Sequence, residues 1–130
     1  MRLETLLPGA AQGETLKLSA PISFWGGVDP KTGMIIDARH PERGQSIAGK
    51  ILLLPGTIGS SSASAVLLEL VHAGRAPAAI VMPEPDAILL LGLVVAREMG
   101  WSTPPAYKAS VSQQNALSAR VHIADDGSIN

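Results

Sequence analysis

Residues 15–18, Thr-Leu-Lys-Leu, alternate polar and apolar side chains, the period-two pattern of a half-buried strand. Residues 22–25 form a second strand candidate, ended by Gly26-Gly27. Asp29-Pro30-Lys31-Thr32-Gly33 has turn composition, because proline presets φ and glycine accepts a positive one. Met34-Ile35-Ile36 then returns as a strand, so the segment predicts a hairpin. Residues 1–14, with Pro8, Gly9 and Gly13, read as an irregular lead-in or an edge element.

The second half has a different rhythm. Residues 50–54 are apolar without alternation after Lys50, which predicts a strand covered on both faces and stopped by Pro55-Gly56. A serine-rich stretch follows, and then residues 63–73 read as a helix. Val66, Leu67, Leu70 and Val71 fall on one helical face there, with Gly74 as the C-terminal stop. Residues 78–82 predict another buried strand. Asp86 starts a helix over 87–99, closed by Gly100 and apolar enough to be buried or interfacial. Pro104 and Pro105 lead toward a final strand at 120–123, and Asp125-Asp126-Gly127 is a closing turn. Strands followed by a strand–helix–strand–helix unit and a last strand predict an α/β fold with a mixed sheet. No repeat or linker divides the chain, so residues 1–130 are expected to form a single domain.

Composition narrows the function. Aromatic residues are 3% of the 130, so the core must be aliphatic. Charged residues are 16%, below the usual quarter, which points to a surface partly covered by a permanent partner. The net charge of -1, without a basic stripe, argues against nucleic acid as the main partner. Cysteine is absent, so this chain cannot give thiolates to a disulfide, a zinc ribbon or an iron–sulfur cluster. The start, Met1-Arg2-Leu3-Glu4, lacks a signal-peptide layout, and the apolar run at 87–96 is too short to span a bilayer. A cytoplasmic protein is expected.

Candidate chemistry concentrates at Pro55-Gly56-Thr57-Ile58-Gly59-Ser60-Ser61-Ser62-Ala63-Ser64, between a buried strand and a helix. Serines there would sit where helical N–H groups lack partners and the macrodipole favours negative charge. One serine suffices for an N-cap, and three behind a glycine leave two hydroxyls without that role. No lysine follows the glycines as a Walker A loop requires, and the order Gly-x-Ser-x-Gly of a nucleophile elbow is absent. A phosphohistidine swivel domain would need a histidine in this loop, and there is none.

Gly59-Ser60-Ser61-Ser62 at a helix start resembles the Gly-Ser-Ser-Arg segment in the swivel domain of aconitase and isopropylmalate isomerase. The resemblance implies that Ser60 is the base removing a carbon-bound proton and that Ser61 contacts substrate. Ser62 stands where those enzymes have arginine, which implies a different substrate or a cation supplied by a partner. A closer resemblance, to the aconitase X small subunit, covers nearly the whole chain. It rests on Phe24-Trp25-Gly26-Gly27-Val28-Asp29-Pro30, Thr32-Gly33, Asp37-Ala38-Arg39-His40-Pro41, the serine loop, Val66-Leu67-Leu68-Glu69-Leu70, Ala76-Pro77-Ala78-Ala79 and Glu84-Pro85-Asp86. It implies a swivelling β/β/α domain that works beside a large subunit, whose own cysteines carry the iron or iron–sulfur centre. The substrate it implies is a small hydroxy acid: cis-3-hydroxy-L-proline, dehydrated to a pyrroline carboxylate, or phosphomevalonate in the archaeal branch. The Val-Leu-Leu-Glu-Leu and Ala-Pro-Ala-Ala stretches look more like the proline branch.

Other residues carry competing readings. His40, in a polar loop before Pro41, is a candidate substrate-binding residue with Ser61 and Ser62; otherwise it is a solvated turn residue. Trp25 is read as a packing anchor before a stacking surface for substrate or partner. His72, His122, Glu69 and Glu98 read as structural or solvated, and the three histidines lack metal-ligand spacing. Two functional classes compete with a dehydratase subunit: a non-catalytic module docking through the 87–96 helix, and a stand-alone anion-binding domain.

Overall fold

Parallel strands need crossover segments, and the chain supplies them in two strand–helix–strand steps. The computed structural model describes residues 1–58 and 61–130. In chain order the elements are β1 (Glu4–Leu7), β2 (Ala11–Lys17), α1 (Phe24–Gly27), β3 (Ile51–Leu53), α2 (Ala63–His72), β4 (Ala79–Met82), α3 (Ala87–Glu98), β5 (Ala106–Lys108), α4 (Val111–Asn115) and β6 (Arg120–Ile123). Among the described residues, the strands form one sheet in the order β1-β5-β4-β3-β2-β6. The four central strands are parallel, with Leu16 opposite Leu52, Leu52 opposite Ile80 and Val81 opposite Tyr107. The outer strands are antiparallel, β1 on β5 and β6 on β2. This is the mixed α/β sheet that the patterning predicts.

The sheet curls until its two edges meet. Arg2 bridges Ser128, and Ile129 bridges Ile123. The Leu3 N–H donates to the Gly127 carbonyl at 2.8 Å, and the Ile129 N–H to the Met1 carbonyl at 2.9 Å. Edge backbone that would invite aggregation is thereby paired. The curl divides the apolar side chains of the buried strands between two cores, as strand alternation requires. Ile51, Leu53, Val81 and Ile123 face inward with Leu3 and Tyr107. Leu52, Leu54, Ile80 and Met82 face outward beneath α2 and α3. The Tyr107 hydroxyl donates to the Gly9 carbonyl. Burial, with Asp125 nearby, pushes the Tyr107 phenol above its ordinary value.

Both long helices stop at the predicted glycines, Gly74 and Gly100, whose φ values of 71° and 78° suit a helix end. Helix α3 buries Leu89, Gly92, Leu93 and Ala96. Gly92 lets it approach α2 closely, because a Cβ there would lie 3.1 Å from the Ser64 carbonyl oxygen. The opposite face keeps Leu91, Val94 and Val95 exposed. Among the described residues, no helix is long and apolar enough to cross a membrane.

Several local expectations need correction. Residues 22–25 are not a strand: Ile22 makes an isolated parallel bridge to Thr57, and the chain then turns through α1. Gly26, at φ 78°, breaks any extended run there. Trp25 is not the packing anchor; Phe24 is buried and Trp25 is 62% exposed. The 28–36 hairpin is a turn held by isolated bridges, Val28 with Ile35 and Met34 with Ser46. Of the two readings of residues 1–14, the irregular lead-in fails and the edge element holds: β1 is an edge strand of the sheet, and residues 11–14 open β2. Strand β5 and helix α4, between the prolines and β6, were not predicted.

Candidate active site

The carboxyl ends of β3, β4 and β5 open on one side of the sheet, the usual location of ligands in parallel α/β sheets. From β3 the chain enters the serine loop, which runs into α2. From β4 it enters Pro83-Glu84-Pro85-Asp86, which runs into α3. Between the two lies an open cleft of about 550 Å³, lined by Gly56, Thr57, Glu84, Asp86 and Ile88 among others.

Three attachments fix the loop on its described side. Buried Gln114, on α4, donates through Nε2 to the Leu54 carbonyl at 2.8 Å and to the Ala109 carbonyl at 3.1 Å. It thereby joins the ends of β3 and β5. The Ile58 N–H donates to the Ile22 carbonyl at 3.2 Å. The Thr57 hydroxyl donates to Asp86 Oδ2 at 2.6 Å. Asp86 is also the N-cap of α3, its Oδ1 accepting from the N–H groups of Ile88 and Leu89 at 2.9 and 3.2 Å.

Ser61 is exposed at the turn before α2. Ser62 is the N-cap residue of that helix, and its carbonyl accepts the first helical bond from Val66 N–H at 3.3 Å. Both therefore stand at a helix start, as the sequence requires. Ser60, the expected base, lies outside the described residues, as does Gly59.

His40 is not a solvated turn residue: it is 6% exposed. Its Nδ1 accepts from the Glu42 N–H at 3.1 Å, which leaves Nε2 as the donor to the Ala20 carbonyl at 3.0 Å. Glu42 in turn accepts from the Ser19 N–H at 2.6 Å and from its hydroxyl. His40 thus fastens its own loop to the segment leading to Ile22, the bridge partner of Thr57. His40→Phe leaves two backbone groups unpaired and is expected to cost about 1–3 kcal/mol. Urea unfolding checks this, and an unchanged midpoint would mean that the ring contributes no net stability.

An apolar groove lies against the first turns of α2, between Ala65 and Val66 on one side and Trp25, Val28 and Ile36 on the other. Trp25, Ile36 and, on the loop, Ile58 are 62%, 48% and 54% exposed. Among the described residues, no group of three or more His, Cys, Asp or Glu side chains could hold a metal ion. With no cysteine in the chain, its residues do not fit a cysteine-ligated iron–sulfur cluster.

Thr57, Asp86 in its double role, and Gln114 were missed in the sequence. Ser110-Val111-Ser112-Gln113 carries the Ser-x-x-Gln spacing of a capping box, and the box forms at the start of α4. That spacing could have revealed α4 and so placed Gln114.

A curled mixed sheet with two crossover helices on its outer face, and a serine loop entering one of them, defines a swivel-type α/β domain. The chain belongs to the aconitase X swivel domain family, whose sequence model matches residues 1–129. It is 52% identical over 103 residues to the cis-3-hydroxy-L-proline dehydratase of Pseudomonas aeruginosa, a match covering 78% of this chain and 18% of that protein. It is 44% identical over 96 residues to the phosphomevalonate dehydratase small subunit of Thermococcus gammatolerans, covering 74% of this chain and 73% of that one. The crystal structure of Thermococcus kodakaraensis aconitase X in its holo-form superposes with a TM-score of 0.84 at 34% identity, covering 99% of this chain and 95% of that chain. The chain thus spans less than a fifth of the hydroxyproline dehydratase it matches.

Proposed function

We propose that this chain is the swivel part of a hydro-lyase that dehydrates cis-3-hydroxy-L-proline to a pyrroline carboxylate beside a larger catalytic partner. The observation that carries this reading is the 52% identity to a protein of that activity. Ser60 is the base, and Ser61 and Ser62 contact the substrate. His40, its ring nitrogens occupied by backbone, anchors the segment that pairs with the loop.

In this reaction the base removes a proton from carbon. The carbon–hydrogen electron pair becomes the new double bond as the neighbouring carbon–oxygen bond breaks, and proton and hydroxide leave as water. The contribution of this chain is to hold and orient that base at the start of α2, where backbone N–H groups favour the serine alkoxide, the form that takes the proton and becomes the neutral hydroxyl. An iron centre belongs to the larger partner. The exposed apolar side chains of Trp25, Ile36 and Ile58, around the loop and α2, support a partner covering this face.

A second reading, phosphomevalonate dehydration, is supported by the 44% identity to a small subunit of that name, of which this chain covers 73%. One experiment tests both. The chain is reconstituted anaerobically with its larger partner and given cis-3-hydroxy-L-proline and phosphomevalonate in parallel. Turnover of the proline that is lost when either chain is omitted is the expected result. Turnover of phosphomevalonate alone selects the second reading, and silence on both with a loaded iron centre overturns the two together.

A further inference from the structure

We propose that Thr57 and Asp86 form a latch that sets the position of the serine loop, making both of them positioning residues for proton removal; the proposal rests on Ser60 being the base. A helix N-cap needs one side-chain oxygen, and serine or asparagine supplies it as well as aspartate does. Asp86 gives one oxygen to the cap, at 2.9 and 3.2 Å from two N–H groups, and the other to the Thr57 hydroxyl at 2.6 Å. A carboxylate serves both at once by accepting, one oxygen for each partner. The 2.6 Å separation is that of a charge-assisted hydroxyl–carboxylate bond.

The two ends of this bond belong to different elements. Asp86 is fixed to α3 through the cap, and its N–H meets Met82 Sδ, at the end of β4, at 3.3 Å. Helix α3 is in turn held against α2 by the close approach of Gly92 to Ser64. Thr57 lies three residues before Ser60, and its segment pairs with Ile22. The loop therefore enters from a point tied to α3 and leaves into α2. The latch fixes the first of these points relative to the second. A base displaced by about 1 Å costs about 100-fold in rate, so the bond acts on kcat.

The test uses the enzyme assembled with its larger partner, with cis-3-hydroxy-L-proline as substrate. Thr57→Val removes the hydroxyl at nearly constant shape, and Thr57→Ser keeps it. Asp86→Ser keeps a capping oxygen but has no second acceptor. The expected result is that Thr57→Val and Asp86→Ser each lower kcat per assembled complex about 10- to 100-fold, with KM within about threefold. Thr57→Ser restores turnover, and the double variant is no worse than either single one, as two ends of one bond require. Normal kcat in Thr57→Val beside an inactive Ser60→Ala overturns the latch and leaves the base in place. A loss that follows the amount of assembled complex, or that Thr57→Ser does not restore, also overturns it. An active Ser60→Ala overturns the reading on which the latch depends.

Discussion

Replacing Ser60 by alanine is expected to lower dehydration by the assembled enzyme about 1000-fold, with folding and assembly unchanged. The magnitude is that of removing a positioned base from a reaction that cannot proceed without proton transfer. Folding is expected to be spared because α2 begins only at Ala63, and the face it buries, with Val66, Leu67 and Leu70, is untouched by the substitution. A hydroxyl is a weak base, and its conjugate alkoxide needs stabilisation. The start of α2 offers N–H groups that have no acceptor within the helix. Exchange of the substrate's carbon-bound hydrogen with deuterated solvent separates the steps of the reaction. With Ser60 as base, Ser60→Ala loses exchange and dehydration together. Exchange without dehydration would move Ser60 to the departure of the hydroxyl, and near-normal turnover would remove it from the chemistry.

What the sequence makes legible follows from the range of the forces involved. The buried strands and both long helices are written in runs of apolar residues and in glycine stops, because burial and helix termination are local in sequence. Thus Ile51–Leu53 and Ala79–Met82 are fully buried where unbroken apolar runs predict it. Strand β1 is legible only as one of two readings, an edge element without bounds or partner. It exists because β5 and the closing turn pair with it, and those partners lie about a hundred residues away. Trp25 misleads for a related reason. Its size suggests an anchor, but where the chain turns through α1 it is Phe24 that enters the core and Trp25 that stays exposed. At the site, the serine loop and the capping role of Asp86 are legible from residue order. The Thr57–Asp86 bond spans 29 positions and the Gln114–Leu54 bond spans 60, so neither leaves a local signature. The loop's chemistry is therefore readable in the sequence, whereas the attachments that aim it emerge only when β3, β4 and β5 end together.

Gly127→Ala is expected to destabilise the domain by about 3 kcal/mol or more, because it strikes the closure of the sheet. Two costs combine at this position. At φ 88° an L side chain is strained by about 1–2 kcal/mol. A Cβ there would also lie 2.1 Å from the Leu3 carbonyl oxygen, a backbone atom that cannot swing aside as a side chain can. Relief requires the first strand to move away from the closing turn. That breaks the bond from Leu3 N–H to Gly127 and loosens Leu3 in the inner core. Gly44 provides the control, with φ 90° and nothing within 4 Å of the point where a Cβ would stand. Gly44→Ala carries the backbone strain alone and should cost about 1 kcal/mol. The difference between the two variants in urea unfolding therefore isolates the collision. If they lose the same stability, the edges of the sheet are not clamped at Gly127, and the curl must be held by the inner core alone.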